Sequence, residues 1–118
     1  MNDDSLRIET YTVAAGTVVI RVVGDFCGEG AAAVRLTLAG QLTGSPEVLI
    51  VDLSEIARID AVGIDTLHSA AELAAEEDIG LGLVASPEGA VRAALDEADS
   101  TDAFEIFSSV SDALEDLP

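Results

Sequence analysis

Lysine and tryptophan are absent from this chain of 118 residues, and histidine and cysteine occur once each. The positive charge comes from five arginines, which face 23 aspartates and glutamates and leave a formal net charge of −18. Such a surface repels phosphate backbones and anionic lipid, so we expect no nucleic-acid binding and a protein partner with a neutral or basic docking face. Without lysine there is no phosphate loop of the G-x-x-x-x-G-K type, and we expect no nucleotide cofactor.

The single cysteine, Cys27, excludes an internal disulfide and fits a reducing compartment. The first residues are acidic and lack the apolar stretch of a signal peptide, and no apolar run approaches the roughly 20 residues of a membrane span. We therefore expect a cytoplasmic protein without membrane insertion. The length and the apolar fraction of 49% predict one domain over residues 1–118, with residues 1–5 flexible.

Catalytic and metal-binding patterns are missing. His68 has no serine or cysteine beside it in a motif context, and it is interpreted as a structural or surface residue. Asp52, Asp60 and Asp65 lie near one loop and could bind a divalent cation, but helix capping and solvated charge are the favoured explanation. We therefore expect no catalytic residue, no metal and no cofactor, and we do not expect an enzyme.

Hydrophobic periodicity predicts the element order β-β-α-β-α-β-α-β-α. Residues 6–13 and 17–23 are typical of a hairpin, and residues 24–30 of a glycine-containing loop. The unbroken apolar run Val48–Val51 predicts an interior parallel strand over residues 48–53, because such runs suit strands buried on both faces. Strands separated by helices need crossover connections, so the sheet should be mixed and largely parallel behind the hairpin.

The remaining elements are predicted from caps and apolar stripes. They are a helix from Gly30 to the Gly44-Ser45-Pro46 break, a helix over 63–76 with Asp60 as its N-cap, a strand over 79–84, a helix starting at Ser86-Pro87, a strand over 104–107 and a helix capped by Ser109 that runs through Leu117.

The stretch from Val48 to Leu67 resembles the STAS family, the domain shared by anti-sigma factor antagonists and the cytoplasmic tails of sulfate transporters. Asp52-Leu53-Ser54 fits the family's turn after the strand, and Asp60-Ala61-Val62-Gly63-Ile64 occupies the place of its Asp-Ser-Ser-Gly-Leu-like segment. Weaker similarities extend the resemblance over nearly the whole chain. They lie at Gly24-Asp25-Phe26, at Ser86 to Val91 and at Phe104 to Leu114. The resemblance implies an α/β fold of the STAS type.

That resemblance also implies a function, a regulatory module for protein–protein interaction. Antagonists of this family dock on a kinase-type anti-sigma factor and thereby free the sigma factor. The kinase phosphorylates the serine directly before the glycine, and Val62 stands at that place, so the standard phospho-switch is missing. The alternatives are the STAS accessory subunit of an ABC-type lipid transporter or a STAS scaffold protein. In each case we expect a monomer or a weak homodimer.

The docking face follows from the resemblance by position, and Val62 is expected to be at least partly exposed on it. Its residues are Asp25, Phe26, Cys27, Glu29, Arg58, Asp60, Ala61, Val62, Gly63, Ile64, Asp65 and, on the exposed side of the helix, His68.

Overall fold

A computed structural model of the chain describes residues 6–116. Over these residues the chain forms five β-strands, four α-helices and one short 3-10 helix. The elements are β1 Leu6–Ala14, β2 Thr17–Phe26, α1 Gly28–Thr43, β3 Val48–Ile59, α2 Ala61–Glu76, β4 Gly80–Val84, α3 Ala90–Glu97, the 3-10 helix Thr101–Ala103, β5 Ile106–Phe107 and α4 Val110–Asp116.

The strands form one mixed sheet in the order β1-β2-β3-β4-β5. β1 and β2 make an antiparallel hairpin, and every other neighbouring pair is parallel. β3 lies in the middle of the sheet, and the exposed fractions of Val48 to Val51 are 2% or less. The predicted α/β fold and the predicted interior strand are therefore confirmed.

Two cores lie on opposite faces of the sheet. The larger core joins β2 and β3 side chains such as Ile20 and Val51 to helical residues such as Leu38, Leu67 and Leu95. The smaller core packs Val19, Ile50 and Val84 against Ala113 of α4. Alternate residues of β2 and β3 thus enter different cores, as a strand buried on both faces requires. None of the helices in the described part of the chain has the length and apolar character needed to cross a membrane.

The strand predicted over residues 48–53 is too short, because β3 continues to Ile59. Three steps along β3, from Asp52 to Glu55, span the same length as two steps along β2, from Arg21 to Val23. A second irregularity follows where Asp25 pairs with Arg58. Extra residues of this kind break the period-two alternation of a strand and turn its side chains, so the sequence pattern looks like a loop.

The predicted loop over residues 24–30 is also wrong. β2 runs on to Phe26, and α1 begins at Gly28. Gly24 and Gly28 have φ values of 115° and 52°, which side chains rarely adopt. The glycines that suggested a loop instead allow a bend in the strand and a direct entry into the helix.

Three smaller corrections concern the second half of the chain. α3 begins at Ala90 and not at Ser86-Pro87, because Ser86 to Gly89 form a turn in which the Gly89 N–H donates to the Ser86 carbonyl at 2.9 Å. The strand predicted over 104–107 is reduced to two residues after the 3-10 helix, and the strand predicted from Ile79 starts at Gly80. The cap at Ser109 is confirmed, since its Oγ accepts from the Asp112 N–H at 3.1 Å. The expectations for residues 1–5 and for Leu117 lie outside the described residues.

Gly63 sets how closely α2 approaches the sheet. A Cβ atom at this position would lie 2.5 Å from the carbonyl oxygen of Phe26 and 2.7 Å from Cγ1 of Ile59. Both distances are well below van der Waals contact, and the first involves backbone that cannot swing aside. Only glycine therefore lets the first turn of α2 rest on the ends of β2 and β3.

Gly63→Ala should accordingly destabilise the protein by about 1–3 kcal/mol, the usual cost of overpacking a closely packed site. Gly40→Ala is the matched control, because nothing lies within 4 Å of a Cβ built at that exposed position of α1. Alanine there should be neutral or stabilise by up to about 1 kcal/mol, since glycine is a poor helix former. Urea unfolding of both variants measures the difference, and equal effects would contradict the close approach.

Candidate functional site

Asp60 caps two helices with one carboxylate. Its Oδ1 accepts from the N–H of Gly63 in the first turn of α2 at 3.0 Å, and its Oδ2 accepts from the N–H of Gly28, the first residue of α1, at 3.2 Å. Both amides belong to the first turns of helices, where no intrahelical acceptor is available. The negative charge also lies at the positive ends of two helix dipoles. The predicted N-cap of α2 is confirmed, and the bond to α1 is an addition that the sequence did not indicate.

An ion pair ties the ends of β2 and β3 together beside this cap. The Arg58 guanidinium donates to the Asp25 carboxylate at 3.0 Å, and the two residues are opposite each other in the parallel ladder. The hydrogen bond and the charge of Asp25 raise the pKa of Arg58. Because the Arg58 side chain is largely exposed, the pair contributes little to stability and holds a positive charge at the rim.

Cys27 occupies the N-cap position of α1 and is half-buried. Burial raises the pKa of its thiol, and the negative charge of Asp60 raises it further. A thiol in such surroundings is protonated at neutral pH and is a poor nucleophile. We therefore interpret Cys27 as a packing residue at the start of α1, and its surroundings do not indicate redox chemistry.

Val62 is exposed, as expected, with 46% of its surface accessible. It follows the cap in the first turn of α2, and the neighbouring Ala61 is also exposed. The exposed acids Glu29, at the start of α1, and Asp65, one turn further along α2, belong to the same two helix starts. The arrangement offers an apolar spot with charged surroundings on two helix ends that share one cap.

Several residues of the expected docking face do not offer free side chains. Phe26 has no exposed surface and is part of the larger core. Gly63 is buried beneath the first turn of α2, and Ile64 is half-buried against the same core. Phe26 and Gly63 can therefore only shape the backbone of the face, whereas Ile64 offers part of its side chain.

His68 also departs from the expectation, because it is not on a freely exposed side of α2. It is half-buried, its Nε2 lies 3.1 Å from Oγ of Ser100, and its ring packs at 5.0 Å from that of Phe104. The segment that precedes β5 thus covers this side of the helix. His68 holds that segment in place, in agreement with its interpretation as a structural residue.

Two of the three carboxylates near the loop have separate local partners. Asp52 accepts from the N–H and the Oγ of Ser54 at 3.1 and 2.7 Å, and Asp60 is engaged by the two helix amides. Asp65 is exposed on α2. Within residues 6–116, no group of three or more histidine, cysteine or acidic side chains is arranged to hold a metal ion.

Comparisons with known proteins agree with this architecture. A sequence model of the STAS domain family matches residues 9–113. An anti-sigma factor antagonist from Mycobacterium paratuberculosis is similar in structure with a TM-score of 0.87 and 26% sequence identity, over 98% of this chain and 97% of that chain. A comparison with curated proteins gave no match.

Two further solved structures are less similar in sequence. A putative anti-sigma factor antagonist from Thermotoga maritima has a TM-score of 0.83 and 16% identity, over 93% of each chain. A variant of RsbS from Moorella thermoacetica has a TM-score of 0.78 and 14% identity, over 94% of each chain. At such identities the likeness shows the fold alone.

Asp60→Ala should cost more than the loss of an ordinary cap, because two helix starts lose their acceptor at once. Removing one cap costs about 0.5–2 kcal/mol, so we expect a loss of about 2 kcal/mol or more. Ser109→Ala is the matched control, since Ser109 accepts from a single amide of α4, and it should cost about 1 kcal/mol or less. Denaturant unfolding compares the two, and equal losses would show that the bond to Gly28 contributes nothing.

Proposed function

Because the chain belongs to the STAS domain family, we propose that it is a regulatory module that docks on a kinase-type anti-sigma factor in the manner of an anti-sigma factor antagonist. The observation that carries the proposal is the exposed Val62 at the capped start of α2, the place where the resembling antagonists carry their regulated serine. The docking face comprises the first turns of α1 and α2 and the end of β3.

Preorganisation supports this choice of face. The Asp60 carboxylate links both helix starts, and Gly63 lets α2 rest directly on the strand ends. A partner that binds there does not have to order loops, which reduces the entropy cost of association. An exposed valine with charged residues around it also fits the usual arrangement of an interface, with an apolar centre and a polar rim.

The charge of the chain defines the partner's surface. Glu29 and Asp65 are exposed at the docking face, and the positive charge of Arg58 is shared with Asp25. With a net charge of −18 over the chain, a neutral or basic surface on the partner is favoured by complementarity and by steering during encounter.

In this proposal docking is not switched by a phosphate on the loop. Ala61 and Val62 have no hydroxyl group, and the Thr66 hydroxyl is buried and donates to the Val62 carbonyl at 2.9 Å. The nearby Ser54 hydroxyl donates to Asp52 at 2.7 Å. Partner binding is therefore constitutive, and the amount of the protein sets its effect.

Incubation with ATP and the co-purified kinase should leave residues 60–66 without phosphate, as mapped by mass spectrometry. Val62→Ser is the matched variant, because it places a hydroxyl at the exposed first turn of α2. It should accept a phosphate and then lose partner binding, since a dianion is introduced into the interface. A stoichiometric phosphate on Thr66 or Ser54 of the unaltered protein, with loss of binding, would contradict constitutive docking.

Val62→Glu should weaken partner binding by about 2 kcal/mol or more if the site is central to the interface. The stability of the free protein should change by less than about 0.5 kcal/mol, as for most surface sites, because a helix start tolerates an added negative charge. Leu114→Glu is the control, since Leu114 is similarly exposed, at 40%, but lies on α4 at the opposite face of the sheet.

The partner is obtained by pull-down from the native cell and titrated by calorimetry against each variant. Equal losses for Val62→Glu and Leu114→Glu, or no loss for either, would place docking on another face. Recovery of a transport ATPase as the direct partner would contradict the anti-sigma proposal and favour the transporter alternative.

A further inference from the structure

β1 is one edge of the sheet. Eight of its nine residues pair with β2 on one side, and within residues 6–116 no other strand pairs with the outer side. The outward N–H and C=O groups of such a strand can pair with another chain, and proteins commonly block them with proline, lysine or like charges. β1 contains neither proline nor lysine, so its charged side chains, Arg7 and Glu9, determine what can pair there.

Arg7 and Glu9 have opposite signs and lie on the same face of β1, 3.7 Å apart at their charged ends. A strand with one charge of each sign does not repel all positively charged or all negatively charged partners. It is complementary to a copy of itself that runs in the opposite direction, because position 7 of one chain then faces position 9 of the other.

We propose that β1 pairs antiparallel with β1 of a second copy about a two-fold axis through Ile8. In this register Arg7 of each chain is opposite Glu9 of the other, and the two Ile8 side chains meet at the axis. Opposite residues of an antiparallel pair have Cβ atoms about 4.5–5.5 Å apart, so both charge pairs and the isoleucine pair are in reach. The two sheets join into one continuous sheet.

Charge complementarity selects this register over the one that uses the whole strand. An axis through Thr10 would pair all nine residues, but it would place Arg7 opposite Val13 and Glu9 opposite Tyr11. Both charges would then lose their partners across the ladder. The axis through Ile8 instead pairs residues 6–10 and leaves no described charge of β1 unmatched.

The local charge also favours this edge for self-association. Arg21 bonds to Glu55 and reaches Glu9 at 3.5 Å, and Arg7 also lies beside Glu9, so two arginines and two glutamates occupy neighbouring positions. Their formal charges cancel, whereas the whole chain carries −18. Two copies repel each other least where such a neutral patch is in contact.

Sedimentation equilibrium of four samples tests the register at about 0.15 M salt, where distant charges are largely screened. The unaltered protein should reach twice its mass of 12.1 kDa as its concentration rises. Arg7→Glu alone and Glu9→Arg alone should each weaken dimerisation at least about tenfold, because like charges then face each other. An equimolar mixture should regain it, since every facing pair is again opposite in sign.

Arg35→Glu and Glu72→Arg are the controls, because they change the net charge equally at exposed positions of α1 and α2. Neither should reproduce the loss and recovery. A strictly monomeric protein at about 1 mM, or an Arg7→Glu variant that dimerises like the unaltered protein, would overturn the proposal. Val62→Glu should leave the dimer intact, so this inference and the docking proposal succeed or fail separately.

Discussion

The carboxylate of Asp60 joins the start of α1 to the start of α2, and the geometry of the candidate docking face depends on this one group. Asp60 follows β3 directly, and β3 is anchored in the middle of the sheet by its buried apolar run. The position of the carboxylate is therefore determined by the core. Each oxygen then positions the first turn of a different helix. In this way the buried core determines the geometry of the exposed candidate docking face.

The cap works together with the absence of a side chain at Gly63. The cap attracts the first turn of α2, and the missing Cβ lets that turn approach the Phe26 carbonyl and the Ile59 side chain. Adjacent residues of a helix point in directions about 100° apart. With Gly63 held against the strands, Val62 is turned outward, which explains why one residue is buried and its neighbour exposed.

Local patterns predicted the elements whose signals are local. The run Val48–Val51 identified the central strand, and Asp60 and Ser109 identified helix starts. The extension of β3 was hidden because its bulges break the alternation on which strand prediction depends. Other contacts join residues that are far apart in the sequence. The bond from Gly28 to Asp60 spans 32 positions, and the Asp25–Arg58 pair spans 33. The contact of His68 with Ser100 spans 32 positions. Such contacts follow from tertiary packing, which sequence spacing does not contain.

Valine at position 62 changes the physical basis of the proposed interaction. A phosphate at this position would affect partner binding mainly through direct contact with the partner. Its two negative charges would change the long-range electrostatic field only slightly, because the chain already carries a net charge of −18. An apolar side chain has no such second state, and its contribution to binding comes from surface removed from water. The proposed docking face is thus permanently competent, held by the cap and the close helix approach. In the proposed function, regulation then comes from how much protein is present or from the state of its partner.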